Sequence, residues 1–200
     1  RVIVFDKRGN GLSQKLSDTA PTIEQRMDDI RFVMDDVDSK QATVLGVSEG
    51  GSLSALFAAM YPERTKNLIL FGAFARTPGL EKLARYPRVL RSLLKSIAMR
   101  QSVRKVKKTW GDGSFFRSVI PSDMLINGKM RQQFKDYELA STNSEDMAKM
   151  MSLLSEMDVT SFLNHVRCPT LVMHSHDDRL IPFKYGQELH DGIQGSELLE

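Results

Sequence analysis

The chain has 200 residues, of which 41% are hydrophobic and 26% charged, an ordinary globular composition with enough length for one sizeable α/β domain. The formal net charge is +3, and no apolar run approaches the roughly 20 residues that span a bilayer, so we expect no membrane insertion. The single cysteine, Cys168, excludes an internal disulfide framework and favours a reducing, cytoplasmic compartment.

Strand-like and helix-like segments alternate through the first 75 residues. Short apolar runs are typical of strands buried on both faces of a parallel sheet, and apolar residues spaced by three or four are typical of helices. The predicted elements are a strand over Val2–Phe5, a helix that begins with a capping box at Thr22 and Gln25, a strand over Ala42–Val47, a helix over Glu49–Tyr61 and a strand over Asn67–Phe71.

The middle of the chain has a different pattern. From 76 to 167 we find helical periodicity interrupted by glycine and proline, and we interpret this segment as a helical cap. Basic residues concentrate between Arg85 and Lys108. They could attract an anionic substrate, a membrane surface or nucleic acid, but we favour the solvent-facing side of amphipathic helices. Without interleaved aromatic residues, nucleic-acid binding is not expected.

The strand pattern resumes after the cap. Thr170–His174 is predicted as a strand, a helix follows from about Phe183 to Asp191, and another strand begins near Ser196. Alternating strands and helices imply a mostly parallel sheet with helices on both faces. The predicted organisation is an α/β core over 1–75 and 168–200 with the cap between them.

Gly46-Val47-Ser48-Glu49-Gly50 matches the pattern G-x-S-x-G between a predicted strand and a predicted helix. So sharp a turn strains the serine backbone and leaves no room for side chains at Gly46 and Gly50. It would expose the Ser48 hydroxyl as a nucleophile, with the Glu49 N–H available to an oxyanion. A serine here favours acyl transfer. The alternative is a glycine-rich turn in which Ser48 only caps the helix.

Two aspartates follow the strand over Thr170–His174, at the sheet edge where Ser48 is also expected. Either Asp177 or Asp178 could orient a histidine and stabilise the imidazolium formed on proton transfer, or the pair could serve a turn or a helix cap.

None of the four histidines is expected to be the catalytic base. The triad order on this kind of fold is Ser, acid, His, and His190 follows the acid too closely, inside a predicted helix. His165, His174 and His176 precede the acid. His174 and His176 with the two aspartates suggest a metal cluster, but such a site needs three or four converging ligands. We expect no metal and no other cofactor.

Three motifs in this order resemble α/β-hydrolases of the cap-containing esterase, haloperoxidase and lactonase type: Phe5–Ser13, the Ser48 segment with Tyr61–Arg64, and Pro169–Pro182. Glu24–Arg31, Val47–Gly51 and Trp110–Gly113 are similar to hydrolase domains fused to bacterial adenylate cyclases. The resemblance implies an α/β-hydrolase fold. It also selects Asp178 as the acid, because family members carry it directly before an Arg-hydrophobic-hydrophobic-Pro stretch.

Relative to that family, strands before Arg1 and the end that carries the catalytic histidine are missing. We therefore expect a portion of a longer protein or an inactive chain. The leading hypothesis is a carboxylic ester hydrolase for short to medium acyl chains, acting through an acyl-enzyme on Ser48. The alternatives are a lactonase or perhydrolase with the same triad, and a non-catalytic ligand-sensing module.

The expected partner is a small ester, and a homodimer or a fused regulatory domain is compatible with the sequence. Apolar residues of the cap are expected to pack against the core or to line a pocket for the acyl group. They are Phe115, Phe116, Met124, Leu125, Met147, Met150 and Met151.

Overall fold

The computed structural model describes residues 1–16, 18–115 and 128–200. They form two compact units. The sheet unit comprises Thr22–Lys82 and Glu156–Glu200, and the helical unit comprises Arg1–Pro21 and Leu83–Ser155. Residues 76–82 and 156–167, which we assigned to the cap, therefore group with the sheet, whereas the first 21 residues group with the helices.

The sheet unit contains a parallel sheet in which neighbours along the chain are also neighbours in space, in the order β1-β2-β3-β4. Its elements are α1 (Ile23–Asp36), β1 (Ala42–Val47), α2 (Glu49–Met60), β2 (Thr65–Phe71), a 3₁₀ helix (Thr160–His165), β3 (Thr170–Met173), α6 (Lys184–Gly192) and β4 (Glu197–Leu199). The predicted strand–helix alternation is thus confirmed from Thr22 to Phe71 and again from Thr170 onward.

Local sequence signals account for where these elements begin. The capping box at α1 is present: the Thr22 hydroxyl accepts from the Gln25 N–H, and the Gln25 side chain accepts from the Thr22 N–H. Most residues of helix α2 are small or apolar, and the helix is buried along most of its length. It packs against β1 and β2. The core of the unit forms around it and includes Met27, Leu53, Phe57, Leu68, Leu70, Val172 and Leu189.

The two faces of the sheet differ. One face, which includes Leu68, Leu70 and Val172, is fully buried. On the opposite face, Val47, Phe71 and Leu199 belong to one apolar row that crosses the strands. Each of these three side chains is about half exposed among the described residues. The helices of this unit therefore build their core on the first face.

The prediction of a strand over Val2–Phe5 is wrong. Residues 1–7 have no strand structure, and Val2 and Val4 are 87% and 88% exposed. An apolar run becomes a strand only where a neighbour accepts its backbone hydrogen bonds, and this segment pairs with no strand among the described residues.

The helical unit contains α3 (Arg88–Thr109), α4 (Gly128–Ser141) and α5 (Ser144–Leu154), and α3 packs on α5. A 3₁₀ helix (Leu80–Arg85) spans the division between the two units, which falls after Lys82. We expected the apolar residues of α3 to lie opposite its solvent-facing side. Instead Val89 and Leu93 are 82% and 55% exposed. No described helix is both long enough and apolar enough to cross a membrane.

A buried carboxylate organises the Trp110–Gly113 segment of this unit. Glu138 is fully buried, and its two oxygens accept from the backbone N–H groups of Gly111, Gly113 and Phe115 at 2.8–3.1 Å. The Trp110 indole donates to the Thr142 carbonyl at 2.8 Å. The motif therefore has a structural explanation in the fold of the cap.

Candidate active site

Ser48 lies between the last residue of β1 and the first of α2, at the carboxyl edge of the sheet. Its backbone has φ 54° and ψ −125°, a conformation that is unfavourable for a residue with a β-carbon and persists only when its surroundings impose it. The Ser48 N–H donates to the Phe71 carbonyl at 3.0 Å, and the Ser48 carbonyl accepts from the Gly51 N–H at 3.0 Å. The expected strained turn is therefore present and held from both sides.

The Ser48 side chain does not cap α2. Ser48 occupies the N-cap position, but its hydroxyl makes no capping hydrogen bond. A serine at this position normally stabilises a helix by such a bond. The alternative of a merely capping serine is thus contradicted, and the strain at Ser48 has no compensation from its own side chain.

The glycines of the turn have unequal roles. A β-carbon on Gly46 would lie 2.6 Å from the Gly51 Cα and 2.7 Å from the Gly50 carbonyl oxygen, so Gly46 is required by close packing, as we expected. The same reasoning is wrong for Gly50, where a β-carbon would meet no atom within 4 Å. Gly51 is the residue that the sequence reasoning missed, because a β-carbon there would overlap the Ala73 side chain.

Glu49 provides the first backbone N–H of α2, where the helix dipole favours negative charge. Its side chain forms an ion pair with Arg26, which extends from α1 and is only 8% exposed. The sequence contained a signal for this arginine: Arg26 is three residues after Ile23 and four before Ile30, within the apolar stripe of α1. A charged residue in such a stripe requires a buried partner.

Asp178 lies in the loop after β3, at the same edge as Ser48. Its Oδ1 accepts from the Leu180 and Ile181 N–H groups at 2.9 and 2.8 Å. Its Oδ2 faces the end of β2, since a β-carbon on Gly72 would lie 3.6 Å from it. The preceding residue, Phe71, accepts the Ser48 N–H. Ser48 and Asp178 therefore flank the carboxyl end of the same strand.

Asp177 is placed differently. It is exposed, and its backbone N–H donates to the Ser175 hydroxyl at 3.3 Å. The Asp178 side chain is only 24% exposed and is anchored by backbone groups, so the local geometry favours Asp178 over Asp177 as an orienting acid.

His174 is buried beneath α6. Its Nε2 donates to the Ile181 carbonyl at 2.7 Å and lies 3.8 Å from the Asp178 Oδ2. Its Nδ1 has no hydrogen-bond partner within the described part of the chain and is enclosed by Gly186, where a β-carbon would lie 2.6 Å from it. His174 is 2% exposed, and its bond to the Ile181 carbonyl stabilises the loop that carries Asp178.

The other histidines are engaged elsewhere. His176 bonds the Glu200 carboxylate at 2.8 Å and lies against the Phe183 ring. His190 bonds the Ser196 hydroxyl at 2.9 Å, and His165 is exposed at the end of a 3₁₀ helix. Among the described residues, no three His, Cys, Asp or Glu side chains are grouped so that they could hold a metal ion.

The single thiol of the chain, that of Cys168, is not an alternative nucleophile. Cys168 precedes β3, away from the carboxyl edge, and burial raises the pKa of its thiol above the ordinary value. A raised pKa lowers the thiolate fraction on which cysteine reactivity depends.

The predicted pocket residues of the cap are only partly described. Phe115 packs on the Trp110 ring with centroids 5.4 Å apart, and the Met150 sulfur accepts from the Asn10 amide at 3.4 Å. Met147 and Met151 are half-buried on α5. Phe116, Met124 and Leu125 lie outside the described residues.

The chain is similar to known hydrolases along almost its whole length. Residues 1–198 match the family described as serine aminopeptidase, S33. The chain is 25% identical over 205 residues to the 2-hydroxy-6-oxo-2,4-heptadienoate hydrolase of Pseudomonas putida, a match that covers 99% of this chain and 68% of that protein.

Solved structures show the same fold. The enol-lactonase from Burkholderia xenovorans LB400 is similar with a TM-score of 0.75 and 21% identity, over 98% of this chain and 70% of that one. The esterase EaEST from Exiguobacterium antarcticum is similar with a TM-score of 0.73 and 21% identity, over 96% and 69%. The chain belongs to the serine aminopeptidase S33 family and is a hydrolase with the α/β-hydrolase fold.

Proposed function

We propose that this hydrolase cleaves carboxylic esters with short to medium acyl chains through an acyl-enzyme on Ser48. The observation that carries the proposal is the strained backbone of Ser48 at the start of α2, with a hydroxyl that makes no capping bond. Strain of this kind is retained where it serves a function, and the turn lies at the carboxyl edge of the sheet, where ligands bind in open α/β folds.

In the proposed reaction, the Ser48 oxygen attacks the acyl carbon while a general base takes its proton. The resulting oxyanion accepts a hydrogen bond from the Glu49 N–H. As the intermediate collapses, the alcohol leaves with the proton held by the base, and water then releases the acid by the same sequence of steps. Lactones, as cyclic esters, fall within the same chemistry.

Asp178 is proposed to orient the base, a histidine outside the four in this chain. The placements of those four support this assignment, since His174 is buried under Gly186 and His176 and His190 bond other groups. The Asp178 Oδ2 is the proposed acceptor for that histidine, because Oδ1 already accepts two backbone bonds. We also propose a cytoplasmic location, supported by the single cysteine.

The test is hydrolysis of p-nitrophenyl butyrate by the full-length protein and its Ser48→Ala variant. We expect activity in the wild type and a loss of about 10⁶-fold in the variant, the size seen when a serine nucleophile is removed. Ser92→Ala, at an exposed serine of α3, is the matched control and should retain wild-type activity.

Equal hydrolysis by wild type and Ser48→Ala would refute the mechanism. A wild-type protein that binds esters without hydrolysing them would instead support the ligand-sensing module. Comparison of butyrate with laurate esters tests the acyl preference, for which we expect the higher kcat/KM on butyrate.

A further inference from the structure

Two charged side chains meet directly behind the Ser48 turn. Arg26 reaches from the first turns of α1 and pairs with Glu49, the first residue of α2. The side chains are 8% and 20% exposed. A pair this removed from water costs desolvation that its attraction only partly offsets, so stability alone is a poor reason for it.

The location of the pair suggests another reason. Glu49 is the residue whose backbone N–H is the proposed oxyanion donor, and its own side chain carries a negative charge. In a partly desolvated site, a carboxylate within several ångströms of a developing oxyanion raises the energy of the transition state through like-charge repulsion. Glu49 would therefore oppose the reaction that its backbone assists, unless its charge were compensated.

We propose that Arg26 is a positioning residue for this reaction. Its guanidinium neutralises the Glu49 carboxylate and draws it toward α1, so that the oxyanion meets the Glu49 N–H without an opposing charge. This inference rests on the proposed function of Ser48.

The experiment breaks the pair from each side in the full-length protein. It measures the rate at which an uncharged fluorophosphonate phosphonylates Ser48, a step in which the serine oxygen bonds to phosphorus and fluoride leaves. Arg26→Met removes the cation that faces the Glu49 carboxylate and should slow labelling about 10- to 100-fold. Glu49→Gln leaves the Arg26 cation behind the site, where it favours the developing negative charge, and should raise the labelling rate above that of the wild type. The double variant, without either charge, should return to within about threefold of the wild type, because the electrostatic penalty is gone.

A purely structural clamp predicts the opposite pattern, in which both single variants are slow and the double variant is no faster than either. That result would overturn the inference, as would wild-type labelling of Arg26→Met. If circular dichroism shows that Arg26→Met does not fold, Glu49→Gln and the double variant still distinguish the two explanations. Slow labelling of Glu49→Gln would refute the charge argument. Arg26→Lys, which keeps the charge, should stay near the wild-type rate.

Ester kinetics provide the second readout. Arg26→Met should lower kcat while KM for an uncharged ester changes little, because the repulsion acts on the transition state and not on the bound substrate. A wild-type protein that is not labelled at Ser48 would refute the proposed function itself. Labelling of the wild type with equal labelling of Arg26→Met would refute only the role of Arg26.

Discussion

The turn at Ser48 and the loop at Asp178 occupy the same edge of the sheet, but different forces hold them. At the turn, steric packing dominates, because a β-carbon on Gly46 or Gly51 would collide with its neighbours. In the loop, hydrogen bonds dominate, with two backbone N–H groups on the Asp178 Oδ1 and the buried His174 bonded to the Ile181 carbonyl.

The difference determines how each region should respond to mutation. Packing restricts which residues fit at all, so a small added group should destabilise the fold. Hydrogen bonds select among residues of similar size, so an isosteric change should leave the fold intact and remove function.

The largest expected effect is on activity, from Asp178→Asn. The amide cannot stabilise an imidazolium and can favour the wrong tautomer, and loss of the orienting acid in a triad costs about 10⁴-fold in kcat. The change is measured with p-nitrophenyl butyrate, and circular dichroism should match the wild type. Asp177→Asn is the matched control and should change kcat by less than about threefold, since its side chain is exposed. A larger loss in Asp177→Asn would reverse the assignment of the acid.

The next effect is on stability, from Gly51→Ala. Its β-carbon would overlap the Ala73 side chain, and overpacking of this kind costs about 1–3 kcal/mol. Gly50→Ala is the matched control in the same helical turn. Because its β-carbon meets nothing within 4 Å, we expect no loss and up to about 1 kcal/mol of gain from replacing a helical glycine. Urea unfolding measures both. Equal destabilisation by the two variants would contradict a packing origin of the turn.

Much of the sheet unit could be predicted from the sequence because local and tertiary signals agree there. The capping box located the start of α1, and Ala42–Val47 coincides with β1. The Ser48 turn could also be located from the sequence, and close packing explains the glycine at position 46. The acid was harder to assign from the residues alone, because Asp177 and Asp178 are adjacent and chemically identical. The structure separates them by the backbone bonds on Asp178 and by the greater exposure of Asp177.

The sequence-based predictions were wrong where contacts between distant parts of the chain determine the local structure. Val2–Phe5 has a strand composition, but composition does not provide a neighbouring strand to pair with. Gly50 belongs to the sequence pattern, whereas the close contact is at Gly51, and no local rule predicts that Ala73 approaches it. The pairing of Arg26 with Glu49 joins residues 23 positions apart, which periodicity alone does not reveal.

The most direct test of the central claim is to locate the adduct that a fluorophosphonate probe leaves on the full-length protein. Tryptic digestion and mass spectrometry should find a single modified residue, Ser48, with no adduct in the Ser48→Ala variant. Modification of another serine, or none in a folded wild-type protein, would contradict the assignment of Ser48 as the nucleophile.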